Sequence, residues 1–423
     1  MIKNLQEFLE KSHSVYHAVA LIREELDAAG YTCLPERESW KLEAGGKYYL
    51  VRNGSAILAF RVPEEAKCFL ITASHADRPC FKVKENGVAE GAYTRLLVEK
   101  YGGALIAPWL DRPLSVAGRV LVETETGIES RLVDVDRDLL LMPNVAIHMN
   151  RAANDGYKWN PAVDTIPLLA DKKSTKQFWD EIETLAGGRI LGHDLYLYVR
   201  QKPSVWGLEN EFISAQAIDD LECAWGCLQG FLKAQETCAI PMLSVFDSEE
   251  VGSSSYQGAA SNLMESTITR ICEALKLDKN RLLAGSFLVS ADNAHALHPN
   301  HPEYADAANA PVMNGGIVVK FNANQKYTTD GLSCAIFRKI CEKANVPVQT
   351  YCNRADLPGG STLGNISLSQ VAVPSVDIGL AQLAMHSCYE TAGVKDAQYL
   401  VQVMAAYYSA DLEITPEGAV SVK

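Results

Sequence analysis

Long hydrophobic runs are absent from this sequence of 423 residues. No apolar stretch approaches the roughly 18 residues that a membrane-spanning helix requires. Near the amino terminus, Glu7 falls where a secretory signal peptide would have its apolar core. We therefore expect a protein without a membrane span or a signal peptide, located in the cytoplasm.

Paired cysteines are also missing. The sequence has 11 cysteines, an odd number, and none of them forms a C-x-x-C pair. A disulfide framework or a zinc knuckle would be expected to show regularly spaced or paired cysteines. The pattern instead indicates reduced thiols, which agrees with the expected cytoplasmic location.

Positive charge is in short supply. Lysine and arginine number 39 against 52 aspartate and glutamate residues, which gives a formal net charge of -13. A surface of this sign argues against nucleic acid or an anionic membrane as the main partner. The length, with ample apolar content for a core, suggests two or three domains.

The order of apolar patterns predicts an α/β fold. A helical pattern covers residues 16–29, and strand patterns dominate 47–73, where Asn53-Gly54 is typical of a hairpin turn. From Met242 onward, apolar strands alternate with helical stretches at 263–277 and 329–344. This alternation is typical of a parallel or mixed sheet covered by helices.

A β-rich segment interrupts this alternation. Residues 91–201 contain short strand patterns, such as 116–122, separated by glycine and proline. We therefore predict a discontinuous catalytic domain of residues 1–90 and 202–423, into which a second, β-rich domain of residues 91–201 is inserted.

Potential metal ligands follow four of the predicted strands. In open α/β sheets, ligand sites gather at the carboxyl ends of the strands, so side chains at several such ends point to one shared site. Two further acids, Asp219 and Asp220, directly precede a predicted helix, where helix capping is the alternative explanation. The residues at the strand ends are His75 with Asp77, Asp247 with Glu249 and Glu250, Asp292, and His386.

These side chains satisfy the requirements of a two-metal site. Asp219 can bridge two ions, with His75 and Asp292 on one ion and Glu250 and His386 on the other. Two imidazoles and three carboxylates suit zinc, with cobalt or manganese as alternatives.

Two acids beside the ligands have other predicted roles. Asp77 is placed to orient the ring of His75, and Glu249 is left free as a general base for the attacking water. By spacing, His295, His298 and His301 could also be ligands, or they could belong to a polar loop after the strand.

Several longer motifs resemble one known family, the M18 metallo-aminopeptidases, known as aspartyl aminopeptidases. The similarity runs nearly end to end, and the motifs together are far more specific than any one alone. They are SHADRPCFKVK from Ser74, YGG from Tyr101, DRPLS from Asp111, NVAIHMNR from Asn144, the acids after Phe246, SADNAHALHPN from Ser290, GSTLG from Gly360, and MHS from Met385.

The resemblance implies a zinc-exopeptidase-like fold with two zinc ions and Glu249 as general acid and base. It also implies that the inserted domain serves as a dimerisation and lid domain, and that dimers assemble into a tetrahedral dodecamer. The family's subunit-crossing histidine corresponds to His148. Lys320 would face an acidic substrate side chain, and Tyr327 would stabilise the oxyanion. Peptides with an amino-terminal Asp or Glu are then the expected substrates, with a broad or neutral-residue aminopeptidase or an amidohydrolase on the same metal core as the alternative.

The sequence departs from the family pattern at three positions near the expected site. Ala217 and Asp220 flank Ile218-Asp219, where the family usually has Arg-Leu-Asp-Asn, and Tyr389 stands where an arginine is frequent. None of these changes removes an expected ligand.

Overall fold

The computed structural model describes residues 1–174, 176–357, 359–415 and 418–422. Three 3-10 turns lie at Ala107–Trp109, Glu249–Val251 and Pro302–Tyr304. None of the helices in the described residues combines the length and apolarity that a membrane crossing requires. In chain order the helices are α1 Ile2–Lys11, α2 Val15–Ala28, α3 Pro161–Asp164, α4 Phe178–Ala186, α5 Ile218–Lys233, α6 Leu263–Leu275, α7 Lys279–Ala284, α8 Gly331–Lys343, α9 Leu363–Gln370 and α10 Val394–Tyr408.

Within the described residues the strands form four sheets, each built of neighbours that are hydrogen-bonded to one another. In chain order they are β1 Thr32–Cys33, β2 Lys47–Arg52, β3 Ala56–Arg61, β4 Cys68–His75, β5 Cys80–Ala89, β6 Tyr93–Tyr101, β7 Leu114–Thr124, β8 Gly127–Asp134, β9 Leu168–Asp171, β10 Ile190–Val199, β11 Ser204–Trp206, β12 Phe212–Ala215, β13 Ala239–Phe246, β14 Phe287–Ala291, β15 Ala294–His295, β16 Ile317–Phe321, β17 Val348–Cys352, β18 Ser375–Gly379, β19 Ala381–Leu383, β20 Glu390–Gly393, β21 Leu412–Ile414 and β22 Val420–Val422.

The largest sheet is mixed, as the alternating sequence pattern predicts, and the predicted α/β class is confirmed. Its order is β1-β2-β3-β13-β4-β14-β18-β16-β17. The four central strands β13, β4, β14 and β18 are parallel, with Phe246 opposite His75 and Ala291 opposite Ile378. Their carboxyl ends therefore meet at one edge, which is where the predicted ligands follow.

Both faces of this sheet are covered, so its central strands are buried along their whole length. All eight residues of β4 and all eight of β13 are buried. One apolar cluster lies under α1, α2, α5, α8 and α10, and a second lies under α6, α7 and α9. Continuous burial explains why these strands appear in the sequence as unbroken apolar runs rather than alternating ones.

Helix α5, whose first turn contains Asp219, packs closely against α10. A side-chain carbon at Gly226 would lie 2.4 Å from Leu400, and one at Gly230 would lie 2.3 Å from Met404. Glycine is required at position 230, where the contact is with a Cβ atom, whereas at position 226 the tip of the Leu400 side chain would have to move. The two helices therefore pack closely at these points.

The second sheet, in the order β8-β7-β10-β5-β6-β9, has its own apolar core, which includes Phe81, Trp109 and Leu197. Its strands run from Cys80 to Val199. The division at residues 91 and 201 stays a prediction, and these strand bounds favour a start near Cys80 because β5 pairs within this sheet.

A third sheet, β11-β12-β20-β19-β15, is small but carries much of the predicted site. Asp219 follows β12 by a few residues, Asp292 precedes β15, and His386 lies between β19 and β20. Three of the five predicted metal ligands are thus attached to the ends of its strands.

Candidate metal centre

His75 ends strand β4 and is 1% exposed. Its Nδ1 lies 3.1 Å from the backbone oxygen of Asp77 and 3.3 Å from the Asp77 carboxylate, so Nδ1–H donates toward Asp77. The other ring nitrogen, Nε2, lies 3.5 Å from Asp219 Oδ1. Because Asp77 takes up Nδ1, the ring nitrogen that faces the acids is Nε2.

The acids after Phe246 form a tight turn rather than an extension of β13. Ser248 has a φ of +65°, and Glu249 and Glu250 begin a 3-10 turn. The backbone N–H of Glu249 donates to Asp77 Oδ1 at 3.1 Å, and that of Glu250 donates to Asp77 Oδ2 at 3.2 Å. The single carboxylate of Asp77 therefore positions both His75 and the two glutamates.

Asp219 is 3% exposed and lies between the two histidine rings. Its Oδ1 is 3.5 Å from His75 Nε2, and its Oδ2 is 3.6 Å from His386 Nε2. Asp219 belongs to two clusters of potential ligand atoms, and within each cluster the atoms lie within 4.8 Å of one another. One cluster joins Asp219 with His75 and Glu250, and the other joins it with Asp220 and Asp292. This is the central position expected of a carboxylate that bridges two ions.

His386 completes the other side of the group. Its Nε2 lies 3.4 Å from Glu250 Oε2, and its Nδ1 lies 3.3 Å from the backbone oxygen of Gly103. The backbone at His386 has a φ of +68°, the left-handed region that non-glycine residues rarely adopt. As at His75, the nitrogen that faces the acids is Nε2.

The donors in this group suit a divalent cation. Asp219 Oδ1, Asp220 Oδ1 and Glu250 Oε1 are buried and lack a hydrogen-bond partner among the described residues. Buried carboxylate oxygens without partners are costly, and a bound cation would satisfy them. Imidazole and carboxylate together are a donor set that zinc accepts.

The pKa values indicate the same crowding of negative charge. Burial raises the pKa of Glu249 to about 8, and the neighbouring acids Asp292, Asp77 and Asp219 add to the effect. Burial also raises the pKa of Glu250 and of Asp220 well above the ordinary range. Burial opposes ionisation of Asp219 too, but the nearby imidazoles of His386 and His75 hold its pKa below the usual value.

One wall of the site is built around Lys320, which is 2% exposed. Its Nζ donates to the backbone oxygen of Asp292 at 2.7 Å and to that of Asn293 at 3.2 Å. It also lies 3.6 Å from Asp292 Oδ1 and 5.3 Å from the centre of the Tyr327 ring. Burial disfavours the charged amine, but Asp292 more than compensates and raises the pKa of Lys320.

A cavity of about 270 Å³ opens beside these groups. The predicted ligands His75, Asp219, Glu250, Asp292 and His386 line it, together with Glu249, Lys320 and Tyr327. His295 lies on the same cavity and meets Tyr351 edge to face. His298 and His301 lie outside the lining of this cavity.

His148 lies in the exposed segment after Met142 and is not among the residues that line the cavity. Its neighbours Val145, Ile147 and Met149 are exposed apolar side chains, at 49%, 47% and 84%. The function predicted for His148 requires a second subunit, so it stays a prediction.

Four residues support the site in ways that the sequence did not predict. Tyr101 donates its hydroxyl to Asp77 at 2.8 Å, and Gly103 accepts from His386. Asp220 accepts the backbone N–H of His75 at 3.2 Å. Glu390 accepts from the backbone of two predicted ligands. Tyr101 and Gly103 do lie in the Tyr-Gly-Gly motif, which is the one signal that could have identified them.

Comparisons with known proteins identify the family. A family model described as Aminopeptidase I zinc metalloprotease (M18) matches residues 8–408. A relative from Clostridium novyi (strain NT), named probable M18 family aminopeptidase 2, is 41% identical over 426 residues, covering 96% of this chain and 98% of the relative.

Solved structures show the same relationship. A structure described as "Cryo-EM structure of the Ape4 and Nbr1 complex" matches with a TM-score of 0.92 and 32% identity, over 96% of this chain and 85% of that one. One described as "Structure of S. cerevesiae mApe1 dodecamer" matches with a TM-score of 0.85 and 26% identity, over 96% and 95%.

A mixed α/β sheet with imidazoles and carboxylates gathered at its strand ends defines a metal-dependent hydrolase. The family match and the identity to relatives make this assignment specific. The chain belongs to the M18 family of zinc aminopeptidases, and the predicted resemblance is confirmed.

Proposed function

We propose that this M18 aminopeptidase removes the first residue of peptides at a centre of two metal ions, with Glu249 as general acid and base. The observation that carries the proposal is the arrangement of four donor side chains, those of His75, Glu250, Asp292 and His386, around Asp219. Both histidines present Nε2, and buried carboxylate oxygens face the same space without partners among the described residues.

The residues present would hold two zinc ions, with Asp219 shared, His75 and Asp292 on one side, and Glu250 and His386 on the other. Cobalt and manganese are alternatives for the same donors. Bound zinc would supply Lewis-acid polarisation of the peptide carbonyl and a more acidic water.

Glu249 is the residue placed to move the proton. Its carboxylate is 15% exposed and lies 4.0 Å from His75 Nε2, so it faces both the cavity and the predicted ligands. A carboxylate held at this position, beside the predicted ligands and open to the cavity, suits a group that first accepts and then returns a proton. Tyr327, on the opposite wall, is proposed to stabilise the oxyanion.

The decisive variant is Glu249→Gln, which keeps the shape of the side chain but removes the base. Turnover of an aminoacyl anilide is expected to fall about 10²–10⁴-fold, while the zinc content stays at two ions per chain. Turnover near that of the wild type would reject Glu249 as the acid and base. Zinc content well below two ions in the wild type would reject the two-metal centre itself.

Acidic amino-terminal residues are the first candidate substrates. A charge-assisted hydrogen bond from Lys320 to an Asp or Glu side chain contributes about 1.5–3 kcal/mol, or roughly 10-fold or more in specificity.

The contacts of Lys320 favour a second candidate, a broad or neutral-residue aminopeptidase. Two of its three N–H donors are bound to the backbone oxygens of Asp292 and Asn293, and Asp292 Oδ1 lies near the third. An acidic substrate would have to displace one of these contacts. Comparing kcat/KM for Asp-, Glu- and Leu-anilides distinguishes the candidates: a preference for Leu would contradict the acidic specificity.

We also propose the assembly that the resemblance implies: dimers formed through the inserted domain, in a tetrahedral dodecamer, with His148 reaching a neighbouring site. The apolar exposure at Val145, Ile147 and Met149 supports an interface at this segment. If light scattering gave the molar mass of a single chain, the result would contradict this assembly.

We also propose a cytoplasmic location. The 11 free cysteines support a reducing compartment such as the cytoplasm.

A further inference from the structure

Glu390 is a buried acid that the proposed mechanism does not use. It begins β20, is 1% exposed, and accepts two backbone N–H groups. Its Oε2 accepts from the N–H of Asp219 at 3.0 Å, and its Oε1 accepts from the N–H of His386 at 2.7 Å. One side chain thus bonds to the main chain of two predicted ligands that are far apart in sequence.

The third sheet explains why Glu390 reaches both. Strand β20 pairs with β12, where Ala215 lies opposite Glu390, and with β19, where Leu383 lies opposite Thr391. The chain leaves β12 toward Asp219 and leaves β19 toward His386. Glu390 therefore stands at the point where the two ligand-bearing segments diverge from its own strand.

The backbone at His386 gives this contact a specific task. A φ of +68° is unfavourable for a non-glycine residue, so the conformation persists only where neighbours hold it. The 2.7 Å hydrogen bond to Glu390 acts on the N–H of that same residue. A charged acceptor gives a stronger bond than a neutral one.

The carboxylate of Glu390 has no oxygen to spare for an ion. Oε2 faces the amide of Asp219, and Oε1 faces the amide of His386, with Gln382 Nε2 at 3.4 Å as a further donor. Glu390 belongs to neither of the two clusters of potential ligand atoms found among the described residues. Asp77 is a precedent within the same site, because it accepts the N–H groups of Glu249 and Glu250 in the same way.

We propose that Glu390 is a positioning residue of the metal centre: it fixes the bridging Asp219 and the left-handed His386 in register with each other. The inference rests on the proposed two-metal function. It assigns to Glu390 control of metal affinity and geometry, with no contact to the metal.

The test uses Glu390→Gln in the full chain. The glutamine amide can accept only one of the two N–H groups, and its NH₂ would oppose the other. Glu222→Gln is the matched control, because Glu222 is equally buried at 1% and its side chain hydrogen-bonds only with Asn293 among the described residues, at 3.4 Å. Cobalt is added to metal-free protein, and its affinity and visible absorption spectrum are measured.

Glu390→Gln is expected to weaken Co²⁺ binding about 10–100-fold and to shift the cobalt spectrum, while Glu222→Gln binds within about threefold of the wild type. Wild-type affinity and spectrum in Glu390→Gln would overturn the proposal, as would equal weakening in Glu222→Gln. If Glu390→Gln does not fold, Glu390→Asp replaces it in the test. The aspartate side chain is too short to reach both amides, so we expect the same loss of Co²⁺ affinity. Unchanged Co²⁺ binding in Glu390→Asp would overturn the proposal. Failure of the wild type to bind Co²⁺ would instead contradict the proposed function.

Discussion

Replacing Gly103 by alanine should weaken zinc binding through His386 alone. The backbone oxygen of Gly103 accepts from His386 Nδ1 at 3.3 Å. A side-chain carbon at position 103 would lie 3.2 Å from that nitrogen and 3.6 Å from Cε1 of the ring. The ring must therefore move away by a few tenths of an ångström.

The size of the effect follows from this displacement. The distance from His386 Nδ1 to the Gly103 oxygen is already 3.3 Å, which is long for a hydrogen bond. A further shift of a few tenths of an ångström would break this hydrogen bond. A lost hydrogen bond costs about 0.5–1.5 kcal/mol, and about 1.4 kcal/mol corresponds to a tenfold change in affinity. Changes in the groups that orient a ligand typically weaken metal binding about 10–100-fold. We expect zinc affinity to fall about tenfold.

The assay is competition for zinc between the protein and a chromophoric chelator, read at equilibrium. The control is Gly331→Ala, at the first turn of α8, where an added side-chain carbon meets nothing within 4 Å in the part of the chain that the structure describes. Zinc affinity within about twofold of the wild type in Gly103→Ala would refute the steric argument. A similar loss in Gly331→Ala would show that the assay reports general destabilisation.

Two further predictions follow from the same site. Lys320→Met should lower kcat/KM for Asp- and Glu-anilides by about tenfold while sparing the Leu-anilide, if Lys320 binds acidic side chains; an equal loss on all three would assign Lys320 to the support of Asp292. In metal-free protein, Glu249, whose pKa burial raises from 4.5 to about 8, holds a proton that the unfolded chain releases. Its stabilising effect is full below about pH 4.5 and is lost as pH rises through about 8, so the free energy of unfolding in EDTA should decrease between about pH 5.5 and 8.5; an increase over that interval would contradict the folded-state pKa of Glu249.

Sequence patterns predict an element well when the residues within that element determine its conformation. The Asn53-Gly54 hairpin is present, with a φ of +54° and +68° at its two residues. The segment 263–277, in contrast, has the pattern of one helix, and the structure ends α6 at Leu275 because Lys276 turns left-handed, with a φ of +56°. Nothing in the chemistry of that lysine signals the turn, since lysine is a good helix former.

Strand ends are the most productive sequence signal for the site. Parallel strands bring their carboxyl ends to one edge whatever the rest of the fold does, so the apolar runs alone are enough to group His75, Glu250 and Asp292. Asp219 and His386 depend on the small third sheet instead, whose strands have only a few residues each. Such short strands leave no clear periodicity to recognise.

The contacts that organise the ligands are of a kind that a sequence pattern does not record. Asp77, Asp220 and Glu390 each accept main-chain N–H groups from residues distant in sequence, and any amide would serve as donor. No residue type is required of the donor, so no motif marks the pair.

Two of these carboxylates also explain how so many acids can share one buried space. Asp77 and Glu390 turn both of their oxygens toward backbone amides, which are fixed dipoles. Asp219, Asp220 and Glu250 each keep one oxygen without a partner among the described residues. Asp77 and Glu390 thus hold the main chain with both oxygens, Asp219 and Glu250 keep an oxygen for a cation, and Asp220 does both. Because the holding contacts need no ion, the fold sets the arrangement of the remaining donors before a cation binds, and binding does not have to order them again.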